Sequence, residues 1–479
     1  MLFSALCLCA FATLCLHRRY GIMNKAGQAR LSEDYSYIID SDGHRVEFDD
    51  PRVVHVWLLP TGLYTTRLLR VFFQKRGWNF RCGGQGGQGD TGILQYARRL
   101  CSGRECLPAT AMTGAIYKDI LNNRGENEIS LYYNLDQDGP CQNGAWPIVW
   151  DTFVKRLDLK NAVFLVWPSL RNNYLHQGER FAAEFAISAL VGDLLDEARG
   201  TLRCLAKDTN LALKTFELEA GRIVESAPGG VFALRSALKK WAEVTARIPI
   251  KTRVEETPKV LLFGGLNVMF IHYPITEFFA EEGIITKVVD LTEGIRWIES
   301  EYAVRYGFKR GLTVPSGQFN IASILLSLFH PKNNLKEASM ALRARLHIAG
   351  IDSFMKRSRE IAKASGLLYD VHIPFLDLVR EGCRYVSHNG FCETPITIGR
   401  FICSIRTGVF DGLINVNSFN CQPAMNSQAI LRRLANNSQI PFAAIDCEGP
   451  WISANQRKLL DTVAVQAKRA IINCRRQES

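Results

Sequence analysis

The sequence predicts an α/β protein of two parallel-sheet halves with helical additions. Three observations lead there. Two separate β-α-β openings begin at Val53 and at Lys259. The candidate strands are short apolar runs, the pattern of strands buried on both faces. A long helical stretch and a charged segment carrying Pro249 and Pro258 divide the two openings. At 479 residues, 47% of them hydrophobic and 22% charged, the chain is long enough for two or three folded domains.

The first half runs from about residue 52 to 250. Residues 53–59 read as a strand, and 61–75 have helical spacing, with Leu63, Leu68, Leu69 and Phe72 on one side. Residues 78–81 read as the next strand. A glycine-rich run follows at 83–90. It lacks the Gly-Lys-Ser/Thr ending of a P-loop and the order of a dinucleotide turn, so it reads as an active-site or connecting loop. Residues 129–134 and 162–167 are further strands. Residues 178–244 are mainly helical, with a break at Pro228-Gly229-Gly230.

The junction falls between about residues 244 and 257, and the second half covers 257–475. Residues 259–265 open it as a strand, a helix over 274–282 is stopped by Gly283, and 284–289 form the next strand. Helices occupy 321–362. Strand 412–416, helix 424–434, strand 441–446 and helix 455–472 complete the chain. Such alternation makes parallel sheets with helices on both faces, and their ligands bind beyond the carboxyl ends of the strands.

Composition narrows the function. The net charge of +11 comes from basic residues spread along the chain, not from a nucleic-acid-binding stripe. Fourteen cysteines in a chain this long do not make a disulfide scaffold, so a reduced, cytoplasmic setting is expected. Residues 2–16 are almost wholly apolar and end at His17-Arg18-Arg19. They are short of the ~20 residues of a membrane span and lack a basic start. Residues 1–22 are therefore an apolar leader that the fold is expected not to need, with Met23 an alternative start; a short anchor is the other reading.

Three cysteines share one local grammar. Cys106, Cys141 and Cys421 each lie beside or two residues from a proline, and each precedes a helix-like stretch. Cys141 and Cys421 also follow candidate strands. A helix start offers free N–H groups and the positive end of the dipole, which favour thiolate. Three thiolates gathered by folding would suit iron–sulfur chemistry or zinc. For zinc, His388 or Cys392 would supply a fourth ligand.

Five segments in this order carry a resemblance. They are Ser102-Gly103-Arg104-Glu105-Cys106-Leu107-Pro108, Gly139-Pro140-Cys141-Gln142-Asn143-Gly144, Lys259-Val260-Leu261-Leu262-Phe263-Gly264, Glu393-Thr394-Pro395-Ile396-Thr397-Ile398-Gly399, and 411–416 running into Asn420-Cys421-Gln422-Pro423. The set resembles the 2-hydroxyacyl-CoA dehydratase family, and within it the dehydratase-like C-terminal region of large CoA-substrate-specific enzyme activases. The resemblance implies two Rossmann-like parallel-sheet halves around a 4Fe–4S cluster held by Cys106, Cys141 and Cys421, with one iron open. Some relatives carry a double-cubane 8Fe–9S cluster, for which Cys101, Cys82 and Cys392 are the nearest further thiols. The implied partners are an ATP-hydrolysing activator with its own iron–sulfur cluster, a CoA thioester or small-molecule substrate, and a second subunit in a homo- or heterodimer.

Glu393 is the candidate proton donor, its alternative role being a carboxylate at a helix start. Asp446, Cys447 and Glu448 follow a strand end and are placed to line the same cleft. A hydrolase elbow of the Gly-x-Ser-x-Gly kind is missing. Two functional classes result. One is a redox component of a dehydratase or reductase that passes low-potential electrons to a substrate. The other is a non-catalytic cluster carrier, an assembly partner of an ATP-driven complex, or a zinc-binding structural protein.

Overall fold

The computed structural model describes residues 27–83, 92–134, 141–166, 169–265, 268–309, 335–388 and 392–478. The apolar leader and nearly all of the glycine-rich run lie outside them. Three two-residue strands, β1 (Arg30–Leu31), β2 (Ile38–Ile39) and β3 (Arg45–Val46), form a small antiparallel sheet. The sequence reading began the body later, because strands this short leave no periodicity. Ile38, Val46 and Phe48 nevertheless pack into the core of the first half.

That half is built on β4 (Val53–Trp57), α1 (Leu63–Gln74), β5 (Asn79–Cys82), α2 (Ile93–Ala97), α3 (Leu107–Asn122), β6 (Ile129–Asn134), α4 (Trp146–Arg156) and β7 (Ala162–Val166). α1 buries Tyr64, Leu68, Leu69, Phe72 and Phe73, the face its spacing predicts. The strands are parallel in the order β5-β4-β6-β7. Every residue of the central strand β6 is buried, Ser130 and Asn134 included, as expected of a strand covered on both faces.

Three long helices follow: α5 (Gly178–Leu205), α6 (Thr209–Ser226) and α7 (Gly230–Thr245). The Asp208 carboxylate caps α6 by accepting from the Leu211 amide at 2.9 Å. The second half holds β8 (Lys259–Phe263), α8 (Val268–Ile271), α9 (Tyr273–Glu281), β9 (Ile285–Val288), α10 (Leu291–Lys309), α11 (Leu335–Ala362) and α12 (Phe375–Gly382). It closes with α13 (Thr394–Thr407), β10 (Gly412–Ser418), α14 (Gln422–Ser438), β11 (Phe442–Cys447) and α15 (Ala454–Glu478). Its sheet is parallel in the order β11-β10-β8-β9. Each half is thus a four-stranded parallel sheet flanked by helices, and the two are Rossmann-like. No helix among the described residues is long and apolar enough to cross a membrane.

In both sheets the strand order reverses once, between β4 and β6 and between β8 and β10. Ligands of open parallel sheets bind outside the strand ends at such points. The halves also exchange packing. Leu291, Ile295 and Ile298 of α10 join the first core, and Leu107 of α3 joins the second. Asp193 of α5 holds the start of α10, accepting from the Leu291 amide at 3.0 Å and the Thr292 amide at 3.1 Å.

Candidate functional site

Each of Cys106, Cys141 and Cys421 opens a helix. Cys106 is extended (φ −65°, ψ 157°) just before α3, with Pro108 in the first turn. Cys421 stands in the same position before α14, with Pro423 in its first turn. Cys141 precedes a 3-10 turn, Gln142–Ala145, and its sulfur accepts from the Asn143 amide at 3.5 Å. Proline fits a first helical turn because its missing N–H would have no partner there.

Hydrogen bonds that each involve a backbone group latch these segments together. The Cys106 amide donates to Oε1 of Gln142 at 2.8 Å, joining the first two cysteine segments. The Leu107 amide donates to the Phe419 carbonyl at 3.1 Å, and Asn420 Nδ2 donates to the Arg104 carbonyl at 2.5 Å. These two join the first half to the Cys421 segment of the second. Thr394 Oγ1 donates to the Pro423 carbonyl at 3.2 Å, which brings in the start of α13. The structure therefore brings Cys106, Cys141 and Cys421 to one place, at the carboxyl ends of the sheets.

Burial overrides the helix starts. It is the largest influence on Cys106, whose thiol is pushed up to about 12; the Ala109 amide pulls back, while Cys141 and Glu393 add to the rise. Cys421 is pushed up first by burial and then by Glu393, with the Ala424 amide opposing and Cys141 and Cys106 adding. The helix-start amides do favour thiolate, as the sequence leads one to expect. They do so without closing a capping bond at Cys106 or Cys421, and desolvation outweighs them. A cation among the sulfurs reverses that balance, since a coordinated thiol is deprotonated outright.

Cys392 and Glu393 complete the surroundings. Cys392 is buried, and its thiol meets both the thiol and the amide of Cys141. Glu393, 5% exposed, is the residue before α13. It sits against Gly265, in the loop after β8. A β-carbon there would lie 2.6 Å from Glu393 Cγ, and φ is +70°. A small cavity beside Glu393 is walled by Phe263, Gly264, Glu293, Trp297 and Arg400 among others.

The remaining candidates lie elsewhere. Cys101 rests against Thr113 and Thr110 of α3 near Glu105; burial and then Glu105 push its thiol up to about 11. Cys82 ends β5, where Arg70 Nη2 lies 3.1 Å from its sulfur. His388 stacks on Trp297 at 4.2 Å between ring centres and lies 3.2 Å from Ser300 Oγ. Cys447 packs in the second core, and Asp446 faces Gln428 of α14.

Sulfur spacing separates the two metal chemistries. Among the described residues, one set of three potential ligands has all donor atoms within 4.8 Å of one another: Asp40, Asp42 and His44, a turn between β2 and β3. No three of the four cysteine sulfurs come that close. Thiolates on one zinc, with bonds of about 2.3 Å, can be no more than about 4.6 Å apart. A cubane attaches its thiolates to different irons and so holds them farther apart. Three thiols drawn from both halves are a soft donor set of the kind that iron–sulfur clusters and zinc both use.

A network the sequence did not announce lies behind α13. Glu197 of α5 pairs with Lys287 at 2.9 Å and with Arg359 at 3.0 Å, all three buried. Burial would raise the Glu197 carboxyl, but Arg359 and Lys287 hold it at about 2. Arg400 of α13 pairs with Asp370 at 2.6 Å and Glu293 at 3.1 Å. This fixes α13, and so the residues at its start. No protein-family model matches the chain, and no curated protein or solved structure matches it.

Proposed function

We propose that Cys106, Cys141 and Cys421 hold an iron–sulfur cluster, and that the protein passes low-potential electrons to a substrate with the help of a separate ATP-hydrolysing activator. The reading is that of a dehydratase or reductase component resembling the 2-hydroxyacyl-CoA dehydratase family. One observation supports it: three helix-opening thiols from both halves are drawn together by hydrogen bonds between their segments.

The cluster would be of the 4Fe–4S or double-cubane type, and when bound it supplies one-electron transfer. The protein's own residues set the conditions. The amides of Ala109, Asn143 and Ala424 face the sulfurs, and N–H groups near cluster sulfurs tune the potential. Burial of Cys106 and Cys421 keeps water from them. Glu393, whose charge acts on Cys106 and Cys421, is the candidate proton donor beside them. The substrate is a CoA thioester or another small molecule, the second subunit is a like or related chain, and the setting is the cytoplasm.

Anaerobic reconstitution with iron and sulfide tests the proposal. Wild-type protein should gain iron and broad visible absorption, and Cys421→Ser should lose both while keeping its far-ultraviolet circular dichroism. Uptake of zinc alone, of no metal, or full iron in the serine variant would refute the cluster. ATP-dependent turnover with an activator then separates an electron-delivering enzyme component from a passive carrier.

A further inference from the structure

We propose that Cys141 and Cys392 form a reversible oxidation site. When the metal site is empty the two thiols close to a disulfide, which withdraws Cys141 from metal binding until a thiol reductant reopens it. The regulation rests on the cluster reading above; the disulfide itself needs no cluster.

The two sulfurs are a discrete pair. The Cys392 thiol is in hydrogen-bonding contact with the Cys141 thiol and also meets the Cys141 amide. Neither Cys106 nor Cys421 turns the contact into a close trio, since no three of these sulfurs lie within 4.8 Å of one another. Sulfurs already in contact need little backbone movement to bond, whereas widely placed cysteines cannot bridge. The same contact is too close for two ligands on different irons of one cubane. Cys141 therefore has two mutually exclusive partners, the cluster and Cys392, because a sulfur in a disulfide is no thiolate ligand.

Their exposure differs as an attacking and a resolving thiol require. Cys141 is half-buried and reachable from solvent, whereas Cys392 is 2% exposed. Redox-sensitive cysteines are accessible thiols poised beside a resolving partner. The fold fixes that partner. Cys392 has φ +46°, a left-handed conformation uncommon for a residue with a side chain. Such strain persists only where the surroundings over-determine it. Thr394 bonds to the Pro423 carbonyl at 3.2 Å, and Arg400 is clamped by Asp370 and Glu293. The other half-buried thiols sit elsewhere, Cys101 against Thr110 and Thr113 and Cys82 against Arg70.

The oxidant is a small disulfide such as oxidised glutathione. The Cys141 sulfur attacks one of its sulfurs, the small S–S bond breaks, and one glutathione leaves as the thiol. The Cys392 sulfur then attacks the Cys141 sulfur and expels the second glutathione. The protein loses two electrons and two protons, and the small disulfide gains both.

The test treats the full chain anaerobically with oxidised glutathione, both empty and after reconstitution with iron and sulfide and removal of small molecules. Remaining thiols are alkylated, and intact mass and peptide maps read the bonds. Empty wild type should give a Cys141–Cys392 linked peptide in most molecules, reversed by dithiothreitol. Empty Cys392→Ser should trap one glutathione on Cys141, and Cys141→Ser should leave Cys392 unmodified; circular dichroism checks that both fold. Reconstituted wild type should form the link at least ~10-fold more slowly, because a ligated thiolate is not free to attack. Thiols that all stay free, or a link from Cys141 to Cys106 or Cys421, overturn the pair. A reconstituted protein that links as fast as the empty one overturns the withdrawal of Cys141 from the site. A wild type that takes up no iron overturns the cluster reading and the regulation with it, while the linked peptide still decides the pair.

Discussion

The Cys106 amide donates to Oε1 of Gln142 at 2.8 Å, so the residue after one candidate ligand holds the backbone of another. The bond joins segments 36 positions apart in the chain. Replacing Gln142 by leucine removes the acceptor and strands a part-buried N–H, at about 1–3 kcal/mol. Gln142→Glu keeps an acceptor and should lose less. Urea unfolding of both variants checks this; equal stability of Gln142→Leu and wild type would show the bond to be dispensable.

Gly265 tests the seat of Glu393. With φ at +70° and Glu393 Cγ 2.6 Å from the position of a β-carbon, alanine must both strain the backbone and push the carboxyl away. Gly283 has nearly the same φ, +72°, with nothing within 4 Å of a β-carbon. Gly283→Ala therefore measures strain alone, about 1 kcal/mol or more. Gly265→Ala should lose more than that in urea unfolding, and the difference is the contact with Glu393.

Arg400 carries the buried pairs that fix α13. Arg400→Met leaves Asp370 and Glu293 buried without their cation, which should destabilise the fold by about 3–5 kcal/mol. Arg400→Lys keeps the charge but not the two-sided reach, and should fall between. Both are read by denaturant midpoint. A methionine variant as stable as wild type would mean the pairs contribute nothing net.

Stability should fall in mild acid. His55 is fully enclosed, its ring nitrogens 2.8 Å from the Tyr133 hydroxyl and 3.0 Å from the Phe48 carbonyl. Burial lowers its pKa from 6.5 to about 4, and does the same at His272. The unfolded chain takes up protons below about pH 6.5 that the folded chain refuses until about pH 4. The stability these groups contribute is thus present above about pH 6.5 and lost as pH falls toward 4, roughly 2–3 kcal/mol for each histidine. Urea unfolding at neutral pH and near the folded pKa measures the loss. An unchanged loss in His55→Phe would remove His55 from the account.

The sequence by itself determined the parallel strands of the two halves, their order and the three helix-opening cysteines, but not the helices α2, α10 and α12. Those features are written within a few residues: apolar runs for β4, β6, β8 and β10, a proline two places after Cys106 and Cys421, and the helical spacing of α1. It also marked Cys141 and Cys421 as following strand ends. The small β1–β3 sheet escaped because two-residue strands carry no period. Only the tertiary structure decided which thiols meet. Cys392 was one of several spare cysteines until folding set it against Cys141, and Cys101, closer in sequence to Cys106, was turned toward Thr110 and Thr113. The same holds for charge. A helix start lowers a thiol pKa through its own amides, a local effect, but desolvation depends on segments hundreds of residues away. That is why Cys106 ends with a raised pKa, and why Glu197, Lys287 and Arg359, unremarkable in sequence, become a buried ionic knot behind the site.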